Sequence, residues 1–174
     1  SGPAYPDDST SAEALDIIKK YNLEISRQAK AALAKETPKS VENCETFVTG
    51  NVAELCRAAA KSAEKMGYNP LIRTTSLDGE AREAGKSFAS LAKEIKTGKS
   101  RDLPSLPCAV IAGGETVVQL KGTGKGGRNQ ETALSAAVGI EGLNDIVLFS
   151  LGSDGTDGPT DAAGAIVDST TKKR

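Results

Sequence analysis

The 174-residue sequence contains no histidine and no tryptophan. Without imidazole there is no Ser-His-Asp or Cys-His catalysis, no imidazole-bound metal, and no ordinary general base titrating near neutrality. Chemistry has to come from carboxylates, Lys, Arg, hydroxyls and backbone amides. Cysteine is scarce. Cys44, Cys56 and Cys108 are odd in number and too widely spaced for a CxxC metal pair or a disulfide framework, so buried structural thiols in a reducing cytoplasm are expected. No apolar run approaches the ~20 residues of a membrane-crossing helix, and the N-terminus carries no basic-then-apolar signal sequence. Charge of one sign is missing too. Lys plus Arg number 22 against 23 Asp plus Glu, a net charge of -1, so no whole-chain field draws nucleic acid or acidic lipid. The expectation is a soluble cytoplasmic protein with neither nucleic acid nor membrane as partner.

What is present, 38% hydrophobic and 26% charged residues, suffices for one ordinary domain or two small ones. After an opening loop with Pro3 and Pro6, and Asp8 or Ser9 as N-cap, a helix is predicted over 11–21, with Ala14, Leu15, Ile17 and Ile18 as its apolar stripe. A weaker helix follows over 25–33. The β-branched run 45–49 reads as a strand, 52–66 as a helix stopped by Gly67, 71–75 as a strand, and the stretch from Gly79 to Gly98 as a long helix. Strand, helix, strand, helix at these lengths favours a βαβ unit with a parallel sheet. Residues 97–107 are the best linker in the chain. Beyond it, 108–112 and 116–121 read as strands joined by Gly113-Gly114-Glu115, a connection short enough only for antiparallel neighbours, so the second sheet should be mixed. A glycine-rich loop, a helix over 128–140, a strand over 146–150, a second glycine loop and Ala165-Ile166-Val167 follow. Lys172-Lys173-Arg174 has nothing evident to pack against.

The stretch from Lys121 through Gly122, Gly124, Lys125, Gly126 and Gly127 to Arg128, Asn129, Gln130 and Glu131 lies between a predicted strand and a predicted helix. Glycines let backbone N–H groups approach a ligand, the helix N-terminus adds positive potential, and a planar Arg can hold two oxygens of a phosphate or carboxylate. The same spacing also suits a connection with solvated basic residues. Gly122, Gly124 and Gly127 satisfy the dinucleotide fingerprint, but the preceding strand is expected to be antiparallel and the following one ends in Ser150 without an acidic ribose ligand. Gly79 to Ser87 and Gly98-Lys99-Ser100 both miss the phosphate-loop spacing. The second loop, Gly152 to Asp161, places Asp154, Asp157 and Asp161 among hydroxyls at the C-terminal end of a strand, where ligands of open α/β sheets collect. Its carboxylates could hold Mg²⁺ or accept a proton from a hydroxyl, and they could equally be ordinary turn chemistry. A basic loop and an acidic loop together are complementary parts of a phosphoryl-transfer site.

Three motifs, Ala112-Gly113-Gly114-Glu115-Thr116, Gly124 to Glu131 and Gly152 to Ala165, resemble the glycerate kinase family whose C-terminal half is the MOFRL domain, a family often labelled hydroxypyruvate reductase. Ser1-Gly2-Pro3 with Pro6-Asp7, and Thr74 to Glu83, resemble further stretches of that family, so the likeness covers essentially the whole sequence. It implies a Rossmann-like βαβ portion of a larger N-terminal α/β domain over 1–105, followed by an α/β MOFRL domain with a mixed sheet over 106–174. The implied activity is ATP-dependent phosphorylation of D-glycerate to 2- or 3-phosphoglycerate, with Mg²⁺, in a cleft between the two domains. The alternatives are an NAD(P)-dependent hydroxypyruvate reductase and a non-catalytic ligand-binding module. The resemblance implies Arg128 as the arginine facing the cleft, on the glycerate carboxylate or the transferring phosphoryl group. Asp154 and Asp157 are the further catalytic candidates and the candidate metal ligands. Gly124, Lys125, Gly126, Gly127, Asn129, Glu115 and Asp161 are the substrate- and phosphate-binding candidates. Relative to the family, the sequence is expected to be an internal piece lacking the earlier region with its active-site lysine and a C-terminal tail.

Overall fold

The computed structural model describes residues 4–98 and 102–174. Ser1-Gly2-Pro3 and the middle of the expected linker, including Lys99-Ser100, lie outside the described residues. The chain divides into two compact units, Ser1–Thr49 and Gly50–Arg174. The boundary expected at 105/106 falls inside the second.

In the first unit, α1 spans Ser11–Lys20 and α2 spans Arg27–Leu33. The cap of α1 is Thr10, two positions past Asp8, because a capping box forms there. The Thr10 side chain accepts from the Glu13 amide at 3.2 Å, and the Glu13 carboxylate accepts from the Thr10 amide at 2.7 Å. Ser26 caps α2 by its side chain alone, accepting from the Ala29 amide at 3.1 Å. Ser11 donates to Glu36 and the Asp7 amide donates to the Pro38 carbonyl, tying the unit's ends together. The strand expected over 45–49 does not form. Phe47 and Val48 are 74% and 73% exposed, so the β-branched run has neither an edge to pair with nor a surface to pack on. Cys44 is exposed as well, against the expectation of buried thiols, whereas Cys56 is buried and Cys108 half-buried.

The second unit holds α3 (Val52–Lys65), β1 (Asn69–Leu77), α4 (Ala81–Thr97), β2 (Cys108–Gly114), α5 (Arg128–Gly139), β3 (Val147–Leu151) and β4 (Gly164–Asp168). β1 and β2 pair in parallel from Asn69↔Cys108 to Leu77↔Gly114, so β1-α4-β2 is a βαβ unit. β3 and β4 form a separate antiparallel pair, Val147↔Asp168 to Leu151↔Gly164. The architecture is therefore α/β with one parallel and one antiparallel pair among the described residues, in place of the mixed sheet expected over 106–174. The correction has a local cause. Residues 116–121 do not turn back as a strand against β2. The Glu115 amide donates to the Leu77 carbonyl at 2.7 Å, the Val117 amide to Gly79 at 2.9 Å, and Val117 in turn accepts from Ala81 at 2.9 Å. The chain thus keeps running parallel to the β1–α4 connection, and Gly113-Gly114-Glu115 is not a hairpin turn.

α4 and α5 lie side by side with their first turns together, since the Arg82 guanidinium donates to Glu131 at 2.8 Å and Ser135, one turn further along α5, donates to the Arg82 carbonyl at 2.7 Å. Their approach is close. A Cβ at Gly85 would overlap the Thr132 carbonyl oxygen and stand 2.8 Å from the Ser135 Cβ. α4 ends at Gly98, whose φ of 62° is the left-handed conformation that glycine adopts without penalty. Ala89, Ala133, Ala137, Ile140 and Val167 form the buried core between α4, α5 and the β3–β4 pair. The C-terminal residues do find contacts: Thr171–Lys173 is a short 3₁₀ turn, and Lys172 pairs with Glu141 at 2.5 Å. No helix among the described residues is long and apolar enough to cross a membrane.

Candidate active site

Both sequence-derived loops meet at the N-terminus of α5. Asp157, from the acidic loop between β3 and β4, is 2% exposed and lies against the first turn of the helix. Its Oδ1 accepts from the backbone amide and the side-chain amide of Asn129, each at 3.0 Å. Its Oδ2 accepts from the backbone amide of Gln130 at 2.8 Å and from the Gln130 side chain at 3.1 Å. The N-cap residue of α5 is Gly127, which has no side chain with which to cap. The Asp157 carboxylate performs that task from a distant loop, satisfying two orphan amides and neutralising the positive helix end. Burial pushes the Asp157 carboxyl up, but the Asn129 and Gln130 donors outweigh it and hold the group below its ordinary value.

Two hydroxyl groups fix this arrangement. Ser150, at the end of β3, donates to the Asn129 side-chain oxygen at 2.7 Å. Thr160 donates to the Asp157 carbonyl at 2.7 Å and accepts from the Gln130 side chain at 3.0 Å. Gly127 makes the docking sterically possible: a Cβ there would overlap the Asp157 carboxyl carbon and lie 2.5 Å from Oδ2.

Arg128 opens α5 and stands outward, its side chain 45% exposed. Its Nη1 donates at 2.7 Å to Oε1 of Glu115, the residue that follows β2 and is held beside the end of β1. The structure thus brings Arg128, Asn129, Glu115, Gly127 and Asp157 into one cluster. Glu131 faces Arg82 at 2.8 Å, linking the first turns of α4 and α5. Lys125, Gly124 and Gly126 are exposed on the loop leading into α5. Asp154 and Asp161 are exposed, and Asp154 accepts from the Thr156 amide at 3.1 Å, an ordinary Asx turn.

The donor set for Mg²⁺ does not fit a resident ion. Among the described residues no three Cys, Asp or Glu side chains gather as a metal group, and each Asp157 oxygen already accepts two hydrogen bonds. Sequence reasoning missed Gln130, Ser150, Thr160 and Arg82. Gln130 lies within the quoted motif, but its contacts are 27 and 30 positions away, and nothing local signals them. An open groove of about 590 Å³ between α4 and α5 is lined by Arg82, Lys86, Lys93, Glu131, Leu134 and Val138 among others, and it includes none of Arg128, Asp154 and Asp157.

The stretch that carries β2, the glycine-rich loop, α5 and the acidic loop matches the MOFRL family over residues 108–174. The likeness to known proteins extends through the residues before this MOFRL segment. A protein of Thermotoga maritima named D-glycerate 2-kinase is 55% identical over 99% of this chain, which spans 41% of that protein. A Glycerate 2-kinase of Pyrococcus horikoshii is 38% identical over 100% of this chain, again across 41% of its own length. A crystal structure of glycerate kinase from Thermotoga maritima superposes with a TM-score of 0.83 at 54% identity, covering 99% of this chain and 41% of that one. The resemblance read from the motifs is borne out at this level: the relatives carry the glycerate kinase name, and the chain spans about two fifths of their length.

Proposed function

We propose that this chain supplies one wall of a glycerate kinase cleft in which a hydroxyl of D-glycerate takes the γ-phosphoryl group of ATP. The observation that carries the reading is the placement of Arg128. An exposed guanidinium stands at the first residue of α5, held by Glu115 just beyond the end of β2, in a chain 55% identical to a D-glycerate 2-kinase. The substrate hydroxyl oxygen forms the new P–O bond as the bond to the ADP oxygen breaks. Negative charge spread over the transferring oxygens meets the Arg128 guanidinium, with Lys125 on the adjoining loop adding positive potential. Asp154 and Asp161, exposed on the acidic loop, are the carboxylates this reading assigns to take the hydroxyl proton. Mg²⁺ enters with the nucleotide as part of the substrate, since the acidic loop offers no resident site.

Because the Asn129 and Gln130 amides at the start of α5 are already occupied by Asp157, the anion contacts of this wall come from side chains and from the loop backbone over 122–126. The finer organisation is part of the same proposal: a Rossmann-like portion over 1–105, to which β1 and α4 belong while their parallel partner β2 lies past the boundary, and a second domain over 106–174, supported by the family match beginning at residue 108. Cytoplasmic location and ATP as phosphoryl donor belong to it as well.

The test uses a polypeptide that carries this sequence at the full length of its relatives. ADP release from ATP that depends on D-glycerate, followed in a coupled assay, is the expected result. Oxidation of NADH by hydroxypyruvate without any ATP requirement would contradict it.

A further inference from the structure

The glycine-rich loop leads into a helix end that already holds a carboxylate. Both Asp157 oxygens are filled by the Asn129 and Gln130 donors. Arg128 precedes these two residues directly, so its backbone is fixed by the docked turn, while its guanidinium is fixed by Glu115. The hydroxyls of Ser150 and Thr160 brace the two side chains that grip Asp157. Nothing in this arrangement leaves Asp157 a lone pair facing solvent, which a substrate or metal ligand would need.

We propose that Asp157 is a positioning residue that acts through Arg128, locking the first turn of α5 so that the guanidinium is presented to the reacting phosphoryl or carboxylate group. The proposal rests on the functional reading above. It separates from two other roles by what each demands. A ligand for Mg²⁺ would be compensated by excess metal. A purely structural anchor would cost function to the same degree whether or not Arg128 is present. A positioning residue loses its functional value once Arg128 is gone.

Asp157→Asn is the informative change, because it keeps the shape and turns one acceptor oxygen into an amide group facing two N–H donors. In the full-length polypeptide, kcat/KM for D-glycerate is measured for Asp157→Asn, Arg128→Ala and the double variant. The expected result is a loss of about tenfold or more for Asp157→Asn alone, and no more than about twofold when it is added to Arg128→Ala, with neither loss relieved by excess Mg²⁺. Losses that multiply, or recovery with Mg²⁺, overturn the proposal alone. Near wild-type activity of Arg128→Ala overturns the functional reading and the proposal with it. If Asp157→Asn does not fold, Ser150→Ala replaces it, removing only the outer hydrogen bond to Asn129. A loss that disappears in the Arg128→Ala background supports the proposal, and an equal loss in both backgrounds, or none, overturns it.

Discussion

Gly127 and Asp157 are in such close contact that a single methyl group between them would displace the carboxylate: a Cβ at Gly127 would lie 2.5 Å from Oδ2 and overlap the carboxyl carbon. The backbone itself is not the constraint, since Gly127 has φ of −149°, an extended value open to any residue. Gly127→Ala should therefore act by pushing Asp157 off the Asn129 and Gln130 amides. Losing that remote cap is expected to destabilise the protein by about 2 kcal/mol. Urea unfolding checks this, and a change below about 0.5 kcal/mol, the range of an ordinary surface substitution, would contradict the docking.

Acid should loosen the same contact. The folded-state pKa of Asp157 lies below the unfolded value of 3.8, burial raising it and the four donors more than offsetting that. A depressed carboxylate contributes stability that is fully present above the unfolded pKa and is lost as pH falls through the folded pKa. Stability measured across the acid range should fall more steeply in the parent protein than in Asp157→Asn, which has no proton to gain. Parallel curves would show that the carboxylate is not held as described.

The Arg128–Glu115 pair carries the opposite expectation. Both partners are exposed, 45% and 72% at the side chain, so solvent screening leaves the pair little weight in folding. Glu115→Gln should change stability by less than about 0.5 kcal/mol while raising the KM of the full-length polypeptide for D-glycerate, because the guanidinium is no longer held in place. A large drop in melting temperature with unchanged KM would invert the assignment.

At the α4–α5 contact, Gly85→Ala exchanges a poor helix former for the best one, worth roughly 1 kcal/mol in an exposed helix. Here the added methyl meets the Thr132 carbonyl and the Ser135 Cβ, and overpacking of that kind costs about 1–3 kcal/mol. Net destabilisation is expected in thermal melts, and a stabilised variant would mean that the helices are farther apart.

Local signals in the sequence told most about helices. The stops at Gly67 and Gly98 and the starts near Ser11, Val52 and Arg128 follow from residue types within one turn of each boundary. Strands were harder to read, because a β-branched run becomes a strand only if a partner edge is available. Residues 45–49 have none, and Val117 bonds to the β1–α4 connection instead of returning to β2. The candidate site was legible as two loops but not as one cluster. That Asp157 would fill the helix end expected to await a ligand depends on contacts nearly thirty positions apart, and on Gly127 serving as a clearance for a side chain of the protein itself.

The central claim is that Arg128 serves phosphoryl transfer to D-glycerate, and Arg128→Ala in the full-length polypeptide tests it most directly. With ATP and D-glycerate, turnover should fall by about 10²–10³-fold, the scale of losing one preorganised charge partner in the transition state. Turnover and kcat/KM close to those of the parent protein would contradict it.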